Sequence, residues 1–208
     1  MKKVLTSMSV VFLLIALVSC NNSSDKDSYK NITVAETNIS VHDADNYKLD
    51  NSKSYFEFIT EKDDVFKIKF VIGNFKVKED KLISGIMFLD IKSLDPEAKP
   101  INAVFLDKDY MDAKYFPQAI LEIIRVKDYT GRKPLFGFKP THMLTAIFQV
   151  KNVSKEIDLP VKLIFNKGAC ELSSSEIDFK GSKWNIGSER SIMLENAKIK
   201  LDISAKKK

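Results

Sequence analysis

Two cysteines, two histidines and a group of three aspartates are the side chains whose type and spacing invite a chemical role in this 208-residue chain. Of these, only Cys20 stands in a spacing that specifies a reaction. It follows Leu17-Val18-Ser19 at the foot of an uncharged apolar run, Val10 to Val18, and leads straight into Asn21, Asn22 and Ser23. A branched apolar residue, a tolerant position and a small residue ahead of a cysteine form the pattern of the bacterial lipobox. The small Ser19 admits a peptidase to the bond before Cys20, and the thiol carries a diacylglycerol thioether. Lys2 and Lys3 supply the basic start of a secretory signal, and the apolar run is too short to span a bilayer comfortably. Residues 1–19 are therefore expected to leave as a lipoprotein signal peptide, with Cys20 the acylated first residue that remains.

The other candidates point to bland chemistry. Cys170 lies in "KGACELSSS", among alternating residues of an expected strand, and reads as a small buried hydrophobe. With the Cys20 thiol spent on lipid, it has no intramolecular disulfide partner. His42 and His142, with no CxxC, offer no zinc or haem pattern, and His142 has no evident Ser or Cys triad partner. Asp107, Asp109 and Asp112, interleaved with Lys108 and Lys114, lack the calcium-loop glycine and read as a solvated turn. No catalytic residue, metal or cofactor is assigned, and the chain is read as a protein that is not an enzyme. The formal charge of +5 falls to +3 once Lys2 and Lys3 are removed. Acids and bases are interspersed, which speaks against nucleic acid as a partner.

These residues need a scaffold, and period-two alternation names it. "VFKIKFVI" places Phe66, Ile68, Phe70 and Ile72 opposite Lys67 and Lys69. "IDLPVKLIF" places Leu159, Val161, Leu163 and Phe165 on one face, and "AKIKLDI" does so for Ile199, Leu201 and Ile203. Such patterning predicts half-buried antiparallel strands. Further strands are expected near 54–60, 82–92, 119–127, 143–151 and 171–179. Gly73-Asn74, Lys78 to Lys81, Lys151-Asn152 and Lys167-Gly168 read as turns, and Gly85 as a bulge or barrel corner. One helical turn is expected in "FLDKDYMDAKYFP", ahead of Pro117. The organisation expected is thus a signal peptide at 1–19, a lipidated polar tether at 20–46, one all-β domain at 47–204 and a basic tail at 205–208. The acyl chains bind the membrane, and Asn21 in place of an aspartate favours the outer membrane of a bacterial envelope.

Three stretches in this order carry a family resemblance: "DYMDAKYFPQAILEI" (109–123), "FQVKNVSKEIDLPV" (148–161) and "SKWNI" (182–186). With "LISGIMFLDIKSL" (82–94) upstream, the chain from Ser52 to Ser204 resembles the YceI-like family. The resemblance implies a lipocalin-like antiparallel barrel of about eight strands that binds a polyisoprenoid or related lipid. Two positions depart from the family pattern. Lys180-Gly181 stands where many relatives carry an Asp-Arg pair, and Lys67 and Lys69 lie where many carry a histidine. Both departures remove polar contacts to a ligand headgroup.

Parity then selects the residues expected to line an apolar cavity: Phe66, Ile68, Phe70, Met87, Leu89, Ile91, Leu159, Val161, Leu163, Ile199 and Leu201. The same stripes would also fill a solid core, and the rival reading is an envelope interaction module without a ligand. Ile86, Phe88, Ile120 and Ile124 fall on the outward parity. They mark a homodimer or partner face, or lie beneath the loop carrying Phe136 and Phe138. That loop either folds over a barrel mouth or is pinned by its aromatics. If the lipobox is used, Cys20→Ala releases or misprocesses the protein. Cell fractionation with mass analysis of the membrane pool checks this, and wild-type membrane recovery with lipid mass contradicts it.

Overall fold

Alternating apolar and charged side chains run along ten strands in the described part of the computed structural model, which covers residues 43–132, 136–187 and 193–208. Cys20, the signal segment and most of the tether lie outside the described residues. The strands are β1 (Asp45–Leu49), β2 (Tyr55–Ile59), β3 (Val65–Lys78), β4 (Lys81–Asp90), β5 (Gln118–Asp128), β6 (His142–Val150), β7 (Val153–Asn166), β8 (Ala169–Ser174), β9 (Ile177–Phe179) and β10 (Ala197–Lys207). A single short helix, α1 (Pro100–Leu106), lies among the described residues between β4 and β5.

All neighbours pair antiparallel, in the order β10-β2-β3-β4-β5-β6-β7-β8, and β8 returns to β10. β1 and β2 share one strand position, since both lie between β10 and β3. β8 and β9 likewise run one after the other along β10. Eight positions thus close into a ring, the barrel that the resemblance implies, built from the half-buried strands that the alternation predicts.

At each interrupted position a buried serine replaces the missing ladder partner. Ser54 accepts the Ser204 N–H at 3.0 Å where β1 gives way to β2. Ser174 accepts the Leu201 N–H at 3.0 Å where β8 gives way to β9. Both hydroxyls are buried, and an unpaired buried N–H would cost about 1–3 kcal/mol.

Two-residue turns join several strands. Glu79 and Asp80, with φ of 50° and 55°, connect β3 to β4, and Lys167 and Gly168, with 47° and 77°, connect β7 to β8. Positive φ at both central residues matches the right-handed twist of the flanking strands. These two turns and the β5–β6 loop lie at one end of the barrel, the hairpin end. At the other, capped end lie α1 and a 3-10 turn at Gly181–Trp184. Pro100 opens α1 with its fixed φ. So short a helix is marginal alone, and it is held by Phe105, which is wholly buried.

The structure corrects four expectations. Gly73-Asn74 lies inside β3 and is no turn. The β3–β4 register slips between Phe70 and Ile72, so Val71 is an extra residue and Ile72 turns outward, 42 % exposed. The helix precedes the segment expected to hold it: only Phe105 and Leu106 of "FLDKDYMDAKYFP" are helical, and turns fill the rest. Ala205 to Lys207 belong to β10, with Ala205 buried and paired to both Cys170 and Leu49. They are not a tail beyond the domain.

Cys170 faces inward on β8, buried, and its thiol is pushed up to about 12, by burial first and by Glu171 second. Thiolate is the reactive form, so native alkylation at pH 8 should run at least about a hundredfold slower than for a free cysteine with a pKa of about 8.5. Fast quantitative labelling would contradict the burial. Ser174→Ala should cost about 1–3 kcal/mol in denaturant unfolding, because it leaves the Leu201 N–H unpaired. An unchanged midpoint would mean another acceptor takes over.

Candidate functional site

Inside the barrel, every residue selected by parity faces its neighbours from other strands and is buried. Phe66, Ile68, Met87, Leu89, Leu159 and Val161 have no solvent-reachable surface, and Leu163 keeps the most, 7 %. Phe70, Ile91, Ile199 and Leu201 lie within the same apolar cluster. Ile91 sits just beyond β4, in the 3-10 turn Ile91–Ser93, where the Asp90 side chain accepts the Lys92 N–H. No charged side chain is among the buried residues described.

The two ends of this interior differ in chemistry. Toward the capped end it is aromatic. Phe66 stacks on Phe105 at 4.2 Å between ring centroids, Phe179 on Trp184 at 4.7 Å, and Phe56 on Phe148 at 5.3 Å. Phe58 bridges the group, 5.6 Å from Phe105 and 5.1 Å from Phe179. The Trp184 indole N–H donates to the Phe148 carbonyl at 3.1 Å, which gives the one polar atom of the plug a partner. Parity alone did not find this plug, because Phe105 comes from a helix and Trp184 from a 3-10 turn.

Toward the hairpin end the lining is mixed, with Leu49, Val77 and Leu82 beside Tyr47 and Phe75, and it includes two positions without side chains. Gly73 lies beneath Leu49, and a Cβ added there would come within 2.9 Å of Leu49 Cδ1 and of Met87 Cγ. Gly85 lies beneath Phe75, and its Cβ would come within 2.5 Å of the ring. Leu49 and Phe75 therefore occupy space that any larger wall residue would deny them. Tyr47, also buried here, has its phenol pushed up, by burial first.

The remaining sequence candidates stay outside this interior. Asp107 and Asp109 are exposed, and with Ala103, Val104 and Tyr110 they line an open surface recess of about 390 Å³ beside α1. Among the described residues no three His, Cys, Asp or Glu side chains are placed to hold a metal. His142 Nδ1 bonds the Thr141 hydroxyl at 2.8 Å, and Nε2 lies 3.6 Å from Asp128 on the surface. Ile86, Phe88, Ile120 and Ile124 face outward, half-buried, and Phe88 pairs across the strands with Ile72 and Ile120. Phe136 is 89 % exposed, so it neither pins its loop nor covers that row.

Known proteins with this architecture place the barrel. Its fold is similar to BcnA of Burkholderia cenocepacia, with a TM-score of 0.60, 22 % identity, and coverage of 75 % of this chain and 98 % of that one. It is also similar to a polyisoprenoid binding domain from Saccharophagus degradans implicated in plant cell wall breakdown. There the TM-score is 0.56 at 10 % identity, over 78 % of this chain and 98 % of that one. No curated protein matches the chain by sequence. The YceI-like domain matches residues 47–206, from within β1 to the end of the barrel, and the chain belongs to the YceI-like family.

Proposed function

We propose that this protein is a lipid-anchored barrel of the bacterial envelope, favoured at the outer membrane, that carries or sequesters a long apolar lipid of polyisoprenoid type. The observation that carries this reading is the inner wall. It is mostly apolar, its buried Ser54 and Ser174 hydroxyls are engaged by β10, no charged side chain is buried in the described barrel, and it includes glycines at positions 73 and 85. Family membership and the polyisoprenoid binding domain of similar fold support the ligand class.

The wall as described is packed, so uptake is coupled to movement of side chains. Leu49 and Phe75 cover Gly73 and Gly85. Swinging both away leaves a slot bounded by backbone, and the aromatic plug stops the chain at the capped end. Burying some 200–400 Å² of hydrocarbon at ~25 cal/mol per Å² supplies roughly 5–10 kcal/mol before the chain's ordering cost. Micromolar affinity needs no headgroup contact on this arithmetic, which fits the missing Asp-Arg pair at Lys180-Gly181. A second reading rests on the same packing: a solid barrel whose outward row of Ile72, Phe88 and Ile120 meets a protein partner.

Native mass spectrometry of the purified barrel, with Leu163→Trp and Met87→Trp beside the wild type, separates the two. The carrier reading expects co-purified lipid that both variants lose, with little fall in melting temperature. A barrel without lipid, destabilised by about 1–3 kcal/mol in each variant, is a packed core and selects the partner reading.

A further inference from the structure

The hairpin end differs from the capped end in charge as well as in lining. At the capped end the β2–β3 turn holds Glu61, Asp63 and Asp64 against Lys62 alone. The turns after α1 hold Asp107, Asp109 and Asp112 against Lys108 and Lys114, while the β6–β7 turn and the 3-10 turn add Lys151, Lys180 and Lys183, so that charges of both signs are mixed there. The hairpin end is basic. Lys127 and Arg132 flank the start of the β5–β6 loop, Lys139 lies near its close, Lys167 is in the β7–β8 turn, and Lys206 to Lys208 end the chain beside β1.

Acids at this end are mostly engaged already. Asp45 pairs with Lys207 at 2.6 Å, Asp43 lies 4.0 Å from Lys78, and Glu79 and Asp80 share a turn with Lys78 and Lys81; Asp128, 93 % exposed at the start of the β5–β6 loop, lies 3.6 Å from His142 Nε2. Among the described residues, none of Lys127, Arg132, Lys139 and Lys167 has a carboxylate within ion-pair distance. From the loop between these cations projects Phe136, 89 % exposed, an aromatic ring that buries nothing within the barrel. β1 also begins here: Asp45 pairs with Val77 beside the β3–β4 turn.

We propose that the hairpin end is a membrane-docking face for an anionic bilayer, with Phe136 inserted among the acyl chains and Lys127, Arg132, Lys139 and Lys167 set against the headgroups. Two terms act together. Each cation held near an anionic surface strengthens binding by about fivefold, and an aromatic ring gains by leaving water at the interface. β1 enters the barrel at the same end, so a lipid anchor upstream of it would add to this docking. The charge and the ring stand without that anchor and without a ligand in the barrel. Docking in this pose brings the half of the interior with the two glycines next to the bilayer, and turns the aromatic plug away.

The test uses the chain from Asn21 onward, which lacks the lipidation cysteine and keeps every strand, cap and core residue of the closed barrel. Its sedimentation with vesicles of phosphatidylcholine is compared with that on equal phosphatidylcholine and phosphatidylglycerol at 0.1 M salt. The proposal expects partition onto the anionic vesicles only, lost at 0.5 M salt. Lys127→Ala, Arg132→Ala and Lys139→Ala should each weaken it by about fivefold. Phe136→Ser should weaken it severalfold, while Lys114→Ala at the capped end leaves it unchanged. Thermal melts run alongside hold the fold constant, since all these side chains lie at the surface. Equal partition onto neutral and anionic vesicles, indifference to Phe136→Ser, or an equal loss from Lys114→Ala overturns the proposal. So does the absence of partition.

Discussion

One strand holds the molecule closed. β10 pairs with β1 and β2 on one side and with β8 and β9 on the other, so it is the only strand among those described with both edges shared between interrupted neighbours. Its partners on one side lie about 150 residues upstream: Ser54 and Ser204 exchange hydrogen bonds across that separation. Contacts so distant in sequence must overcome a large loop-closure entropy before they return anything. The serines at the two breaks make this workable. They let a continuous β10 ladder run past neighbours that bend away, without leaving a buried N–H unpaired. Interruption on both sides of β10 thus coexists with a barrel that has no open edge.

Closure also decides what the interior can be. A ring of eight strands leaves room for side chains or for a narrow guest. Here the stacked aromatic cluster takes up the capped half, and Leu49 and Phe75, resting on glycines, help to fill the other. The two halves respond differently to the same demand for space. Stacked rings tied by an indole hydrogen bond form a plug in which moving one ring disturbs several others. Leu49 and Phe75 rest on bare backbone, and their displacement opens a surface instead of breaking an interlocked contact. On the proposed carrier reading, entry of a ligand belongs to the hairpin half, and rigidity to the capped half.

Much of this was legible in the chain itself. Alternation in β3, β7 and β10 placed the inward face correctly, because a one-residue slip would turn the whole apolar set to water. The turns at 78–81 and 167–168 were readable from their residues, as was the outward parity of Phe88 and Ile120. Parity failed where the backbone inserted a residue. Val71 is taken up by a bulge, a feature set by pairing with β4 and carrying no local signature, and Ile72 was misplaced as a result. Gly73 looked like a turn because glycine followed by asparagine is a turn signal. Its reason here is the close approach of Leu49 from a different strand. The plug was illegible for a similar reason: Phe105 reaches Phe58, and Trp184 reaches Phe148 and Phe179, only after two separate connections have folded over one end. The short helix escaped notice because seven residues hold too little periodicity to register, and Pro100 was the one local sign of its start.

Trp184 is the chain's single tryptophan, and it is buried against Phe179 with its indole N–H on a backbone carbonyl. That gives the molecule one optical probe at one known address. Its emission wavelength reports the polarity of the capped end and nothing of the hairpin end, some strand length away. Solvent exposure of that indole would therefore mark the parting of the 3-10 turn from the barrel wall. Changes confined to Leu49, Phe75 or the β5–β6 loop would pass unseen by the same light. An intrinsic-fluorescence titration that stays flat thus speaks only for the plug, and events at the opposite end call for a second tryptophan placed there.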